Sequence, residues 1–235
     1  MKKTAIMQPY FLPYIGYWQL IHSVDEFVVY DNIQFTKKGW FNRNRILDGD
    51  HDRLFTIPIK KDSDYLNVNE RFLSDDSQNE IMRTLRIIQN TYRKAPYYAD
   101  AYPVVEACFL GTDKNLFSYI YNSIKLMCTY LGIDTKITIS SNVDIDHQAL
   151  KAEQKVLAIC KATGTEMYVN AIGGMELYNK EVFMSQGIDL RFIRSKDVTY
   201  EQFGNSFVPW LSIIDVIMFN DREKVRQIVD MYELV

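Results

Sequence analysis

The chain has 235 residues, 47% hydrophobic and 24% charged, which is enough apolar material for one large core. Its net charge of −3 gives no basic background on which a nucleic-acid footprint could be built. No apolar run reaches the roughly 18 residues that a membrane-spanning helix needs, so no membrane insertion is expected. Gln8, Pro9 and Pro13 interrupt the apolar stretch behind Lys2 and Lys3, and no small-residue cleavage site follows, so no signal peptide is expected. Cys108, Cys128 and Cys160 are far apart, form no CxxC pair and sit in apolar helical patterns. They read as small core residues of a protein from a reducing, cytoplasmic compartment.

Thr4 to Met7 is a short apolar strand that ends in a turn carrying Pro9 and Pro13. A helix with an apolar face (Ile15, Trp18, Leu20, Ile21) follows, and then a second apolar strand closing on Asp31. Leu54 to Ile59 predicts a third strand, with Pro58 placing it at an edge or a strand end. Lys60 to Asp76 reads as loop with one short strand near Leu66 to Val68. Ile81, Leu85, Ile88 and Tyr92 share one face of a helix from Ser77 to Tyr92, with acceptors for its first turn in Asp75, Asp76 and Ser77. Pro96 and Pro103 predict short helical pieces, and a strong helix runs from Asn115 to Leu131, ended by Gly132.

Strands are then predicted at Thr135–Ser140, Glu166–Asn170 and Leu190–Ile193, separated by helices at Leu150–Thr163 and Leu177–Gln186. Helices over Ser212–Phe219 and Arg222–Leu234 finish the chain. Strands alternating with helices imply an α/β fold with a mostly parallel sheet and flanking helices. The whole chain, 1–235, reads as a single domain with a helical insertion at about 77–131.

The polar residues of the first segment cluster where strands stop. Strand, tight turn and helix N-terminus form a geometry that presents backbone N–H groups to an anion. In Asn42-Arg43-Asn44-Arg45, Arg43 suits a phosphate or carboxylate, and the asparagines both donate and accept. If that segment is extended, Asn42 and Asn44 face one way and Arg43 and Arg45 the other, so not all four enter one site. Asp31 is the candidate general base, with a turn aspartate as the competing reading. Gly16 permits close approach of a ligand or of a neighbouring strand. Asn170, with Gly173 and Gly174, lies at a strand end and fits either a ligand cradle or a plain turn.

His22 and His51 read as incidental, and His147 beside Asp144 and Asp146 as the solvated start of a helix. No HxH, HExxH or Cys/His set occurs at ligand spacing, so no metal site is expected. No GxxxxGK[ST] or GxGxxG is present, which argues against a P-loop or dinucleotide enzyme. Ser212 and Asp215 read as an N-cap with its N3 partner, a capping-box arrangement.

MQPYFLPYIGY at the N-terminus, VDEFVVYD and GWFNRNRI together resemble the signature of WbqC-like proteins. Tyr168-Val169-Asn170, Gly173-Gly174, Tyr200-Glu201-Gln202 and Pro209 to Asp215 extend the resemblance over nearly the whole chain. It implies a place in O-antigen or other surface-polysaccharide biosynthesis, where such proteins are linked to dressing an amino sugar with an acyl or aminoacyl group. The substrate implied is a nucleotide-activated deoxyamino sugar, with glycyl among the groups transferred. Coenzyme A or an acyl-carrier-protein thioester is the candidate donor, although no motif identifies either. Asp31 and Arg43 are the expected catalytic residues. Gln8, Tyr10, Tyr14, Gly16, Trp40, Asn42, Asn44 and Asn170 are the expected substrate-binding residues. Tyr14-Ile15-Gly16-Tyr17 also occupies the place of the His-x-Gly-His of nucleotidylyltransferases, which suggests a related fold. Neutral tyrosines do not supply the imidazolium charge of that chemistry. A nucleotidyl- or glycosyl-transfer enzyme and a non-catalytic nucleotide-sugar-binding protein stand as the alternatives.

Overall fold

A computed structural model describes residues 1–204 and 206–235. In chain order its first elements are β1 (Lys3–Met7), α1 (Ile15–His22), β2 (Glu26–Val29), β3 (Arg43–Asp48) and β4 (His51–Thr56). Three helices follow, α2 (Ser77–Tyr92), α3 (Tyr98–Phe109) and α4 (Leu116–Leu131). Then come β5 (Lys136–Ile139), α5 (Ala152–Ala162), β6 (Met167–Ala171), α6 (Lys180–Ser185) and β7 (Asp189–Ser195). The chain closes with α7 (Ile213–Phe219), α8 (Arg222–Val229) and β8 (Tyr232–Leu234).

Six strands form one sheet in the order β5-β2-β1-β6-β7-β8, parallel except for β8. This is the mostly parallel α/β sheet that the alternation of elements predicts. Its central strands read as unbroken apolar runs because both faces are covered. Ala5, Phe27, Val29, Val169 and Ile193 pack against α1, α4, α7 and α8 in one core. Their neighbours Ile6, Val28, Tyr168, Leu190 and Phe192 pack in a second core with Val156, Ile159 and Cys160 of α5 and Phe183 of α6. The period-two alternation of strands thus assigns each residue to its layer. Helix α1 links β1 to β2 on the first face and α5 links β5 to β6 on the second. The strand order therefore turns about β1 and β6, and a doubly wound sheet opens a crevice beyond the carboxyl ends of such a pair.

Five expectations differ from the structure. Leu54–Ile59 does not join the main sheet, because β4 pairs antiparallel with β3, and Gly49 (φ 64°) makes the turn between Asp48 and His51. The region around Pro103 is one continuous helix, in which a single proline costs only one amide bond. Residues Val68–Glu70 are a 3₁₀ turn and not a strand. The last helix stops at Val229, where the Gln19 amide donates to the carbonyls of Ile228 (2.9 Å) and Met231 (3.1 Å), and β8 follows. Asp76 precedes α2 without using its side chain as a cap, whereas Asn115 and Asp221 do cap α4 and α8.

The amino ends of β1, β2 and β5 are tied at Glu26, a buried carboxylate. Lys2 and Lys136 pair with it at 2.7 and 2.9 Å, and the Thr138 hydroxyl donates at 2.6 Å. Burial alone would push its pKa up. The bonds from Lys2, Thr138 and Lys136 and the charge of Lys2 outweigh that and lower it from 4.5 to about 2. A depressed carboxylate pKa means stability that is complete above the unfolded value and is lost as pH falls towards about 2. The shift corresponds to about 3 kcal/mol. Glu26→Gln should therefore destabilise the protein at neutral pH and flatten its acid limb between pH 4.5 and about 2. Acid denaturation followed by circular dichroism would record this, and an acid limb identical to that of the unaltered protein would contradict it.

Candidate functional site

The turn after β1 is the starting point of the site. Leu12 has φ 45°, an unusual conformation for a residue with a side chain and more so before a proline. Such strain costs on the order of 1–3 kcal/mol and persists only where neighbours enforce it. Here the Leu12 carbonyl accepts from the Asn44 amide (2.6 Å) and from the Ser212 hydroxyl (2.6 Å). Asn44 also donates to the Phe11 carbonyl at 3.2 Å, and the Phe11 amide donates to the Phe41 carbonyl at 3.0 Å. The Ile213 amide donates to Pro13 and the Ser212 amide to Arg45, both at 2.9 Å. Three segments distant in sequence, the β1–α1 turn, the β3 strand and the start of α7, are thereby locked together.

Against this knot lies a cleft of about 230 Å³ bounded by Tyr10, Pro13, Tyr14, Trp40, Asn44, Arg45 and Trp210. Its walls are mostly aromatic. Tyr14 meets Trp210 edge-on at 5.9 Å, and Tyr10 packs against Tyr17 and Phe41. The guanidinium of Arg45 lies 5.2 Å from the centre of the Trp40 ring, and that of Arg43 lies 5.3 Å away. Burial, aided by the neighbouring Tyr14, pushes the Tyr10 phenol up to about 12, and burial also raises that of Tyr14. Both hydroxyls are therefore neutral at physiological pH and serve as donors or acceptors. Gly16 serves the aromatic wall and not a ligand directly, since a Cβ there would come within 2.5 Å of the Tyr14 ring. Trp210 has φ 62°, a second strained residue in the same cleft.

Tyr10, Tyr14, Trp40 and Asn44 thus meet in one cleft, and the remaining sequence candidates lie outside its lining. Asp31 is buried and fully engaged. One carboxylate oxygen accepts from the Ser140 hydroxyl (2.7 Å) and the Ser141 amide (2.9 Å), the other from Asn69 (3.0 Å). Burial works to raise its pKa, but those hydrogen bonds prevail and lower it. A carboxylate so occupied is a weak proton acceptor, and the arrangement fits an anchor joining the ends of β2 and β5. The Asn42 amide donates to the Ile57 carbonyl at 2.7 Å inside the core. Arg43 donates to the Lys38 carbonyl, which fixes the loop carrying Trp40. Gln8 is half-buried beyond β1, where its carbonyl accepts from the Tyr17 hydroxyl at 2.9 Å. Asn170 is buried at the end of β6, accepting from the Ala171 amide at 2.8 Å, and a Cβ on Gly174 would lie 2.8 Å from its amide nitrogen.

Sequence reasoning missed Arg45, Pro13 and Trp210. The expected alternation does separate the buried asparagines from the two arginines, but it does not distinguish Arg43 from Arg45. Both arginines stack on Trp40, a contact that only the fold reveals. Asp215 also departs from the capping-box reading. Ser212 does accept from the Ile214 amide, yet the Asp215 carboxylate turns inward to Tyr92 (2.8 Å), Tyr200 (2.7 Å) and Gln202 (2.5 Å). His147 bonds to the Val143 carbonyl at 2.9 Å, while Asp146 accepts from two following amides. Among the described residues no group of three His, Cys, Asp or Glu side chains is placed to hold a metal.

The clamp on Leu12 requires a donor at position 44. Asn44→Ala should cost about 1–3 kcal/mol by leaving buried carbonyls unsatisfied, and Asn44→Asp should cost more by setting a charge against them. Urea unfolding of both variants measures this, and equal stability of Asn44→Asp and the unaltered protein would refute the clamp.

The chain is 27% identical over 223 residues to the uncharacterized protein Rv1507c of Mycobacterium tuberculosis, covering 94% of each. No solved structure gives a significant match. The family model of WbqC-like proteins matches residues 8–227, from the turn after β1 into α8, and the chain belongs to that family.

Proposed function

We propose that the protein is a cytoplasmic transferase of surface-polysaccharide biosynthesis that adds an acyl or aminoacyl group, glycyl among them, to the amine of a nucleotide-activated deoxyamino sugar. The observation that supports this most is the cleft itself, aromatic on its walls and carrying the Arg45 guanidinium. Aromatic faces suit the apolar face of a sugar ring or a base, and a guanidinium suits a diphosphate. At about 230 Å³ the cleft is smaller than the roughly 300–1,000 Å³ of sites for drug-sized ligands. It therefore suits one sugar or one base, with the rest of the nucleotide sugar lying along the surface.

In the reaction the neutral sugar amine attacks the carbonyl of a thioester carried by coenzyme A or an acyl carrier protein. The new C–N bond forms as the C–S bond breaks, the thiolate leaves with the electron pair, and the amine proton passes to it or to water. The tyrosine hydroxyls of Tyr10 and Tyr14 are suited to orient the sugar and the acyl oxygen. Asp31, already saturated with donors, is better suited to hold the strand ends than to take the proton. Arg43 is better suited to hold the loop of Trp40, and Arg45, which lines the cleft and is paired at 3.3 Å with the exposed Asp52, is the candidate anion-binding residue.

Incubation with dTDP-amino sugars and acyl thioesters, followed by mass spectrometry, tests the reaction. A product carrying a new amide is expected. Release of free nucleotide would replace the reading by a nucleotidyl- or glycosyl-transfer enzyme, and binding without turnover by a carrier. At Arg45 a lysine keeps the charge and loses the fork. Arg45→Lys should weaken nucleotide-sugar binding about tenfold, since a charged hydrogen bond contributes about 1.5–3 kcal/mol, with little change in melting temperature. Calorimetry and thermal melts on one preparation decide this, and unchanged affinity would remove Arg45 from the site.

A further inference from the structure

A second polar cluster lies on the other side of the β1 end, on the face covered by α5. By alternation Tyr30 beyond β2 continues the side of Val28, and Asn170 in β6 continues that of Tyr168, both residues of the α5-side core. Tyr30 and Tyr178 pack on that same core. Lys155 of α5 reaches into this crevice and is only 7% exposed. Its ammonium lies 5.1 Å from the Tyr30 ring centre and makes one hydrogen bond, a long one of 3.3 Å to the Asn32 side-chain oxygen. An ammonium carries three donors, so most of its capacity is unspent in a place with little water.

Asp31 acts on Lys155 through space, but its oxygens are committed to Ser140, Ser141 and Asn69. The cost of burying the charge is visible in the lysine pKa, which desolvation lowers despite Asp31. A second observation is independent of the lysine. The Tyr168 hydroxyl is wholly buried and makes no well-formed hydrogen bond, with only the Tyr178 hydroxyl within reach. Tyr178 lies beside it and beside Asn170, and Tyr178 is near enough to Tyr30 to disfavour ionisation of the Tyr30 phenol. Uncompensated donors of this kind are uncommon in folded proteins and call for a partner.

We propose that Lys155, with the hydroxyls of Tyr30 and Tyr178 and the amide of Asn170, forms a binding subsite for a single oxyanion group, a carboxylate or a phosphate ester. The site lies at the topological switch of the sheet, where doubly wound folds gather ligands. It is separate from the aromatic cleft and does not depend on the transfer chemistry assigned to that cleft. Because Asp31 offsets part of the lysine charge, the subsite suits one anionic group better than a chain of phosphates.

The test uses the full chain labelled with 13C at the lysine ε-carbons, titrated with sodium phosphate or sodium acetate against chloride at constant ionic strength. The Lys155 resonance is assigned by its loss in Lys155→Met. A saturating shift of that resonance is expected. Saturation by acetate alone identifies a carboxylate ligand, by phosphate alone a phosphate ester, and by both a general oxyanion site. Tyr30→Phe, which keeps the ring and so the packing, should weaken the effective ion severalfold. Arg45→Lys should leave the Lys155 titration unchanged, which separates this site from the cleft. Absence of a saturating shift with either ion, or equal drift of all lysines, overturns the proposal.

Discussion

The structure turns on one peptide carbonyl, that of Leu12. Its strained backbone is held by the Asn44 amide and the Ser212 hydroxyl, residues 32 and 200 positions away. Net hydrogen-bond contributions of about 1 kcal/mol each are of the same order as the strain they offset. What they secure is geometry. Tyr10 and Tyr14 flank the turn, Trp40 and Arg45 flank Asn44, and Trp210 precedes Ser212, so one clamp sets the walls of the cleft relative to one another. The walls of the cleft are thereby fixed in advance, the condition under which binding gains most from rigidity.

A second brace keeps the far wall in place. The Asp215 carboxylate collects the hydroxyls of Tyr92 and Tyr200 and the amide of Gln202, and the Tyr92 oxygen accepts from the Leu47 amide at 2.9 Å. Gln202 in turn holds Val208 through both its amide and its carbonyl, two residues before Trp210. The helices of 77–131 therefore contribute to the site through Tyr92, although their sequence carries no sign of chemistry. Burial raises the Asp215 pKa and the three donors oppose that rise, so the carboxylate is costly to bury and is retained where it joins α2, α7 and the loop before α7.

The parallel sheet was legible because β1, β2, β5, β6 and β7 are short apolar runs separated by amphipathic helices, and periodicity reports burial directly. The helix end at Gly132 and the helix start at Ser212 were legible from local capping chemistry, whereas the caps Asn115 and Asp221 emerged only in the fold. The β3 strand was harder to read, since Arg43-Asn44-Arg45 looks like a polar loop until the asparagines are known to be buried. In sequence, an asparagine that binds a sugar and one that donates to a core carbonyl are the same letter, which is why Asn42 and Asn44 were both expected to touch substrate. Asp31 illustrates the same ambiguity: its three donors come from positions 69, 140 and 141. Trp210 and Lys155 were missed because nothing local ties them to the first forty residues, and only the tertiary fold brings them there.

The proposed function requires that the nucleotide sugar bind in the aromatic cleft. Trp40 and Trp210 line that cleft, while the third tryptophan, Trp18, is wholly buried in the core. Tryptophan emission is thus a direct reporter, with Trp40→Phe and Trp210→Phe separating the two signals. Binding in the cleft predicts a saturable change in emission from both residues on titration with a dTDP-amino sugar, at the affinity that calorimetry gives. Saturable binding by calorimetry with the emission of both tryptophans unmoved would place the ligand elsewhere and contradict it.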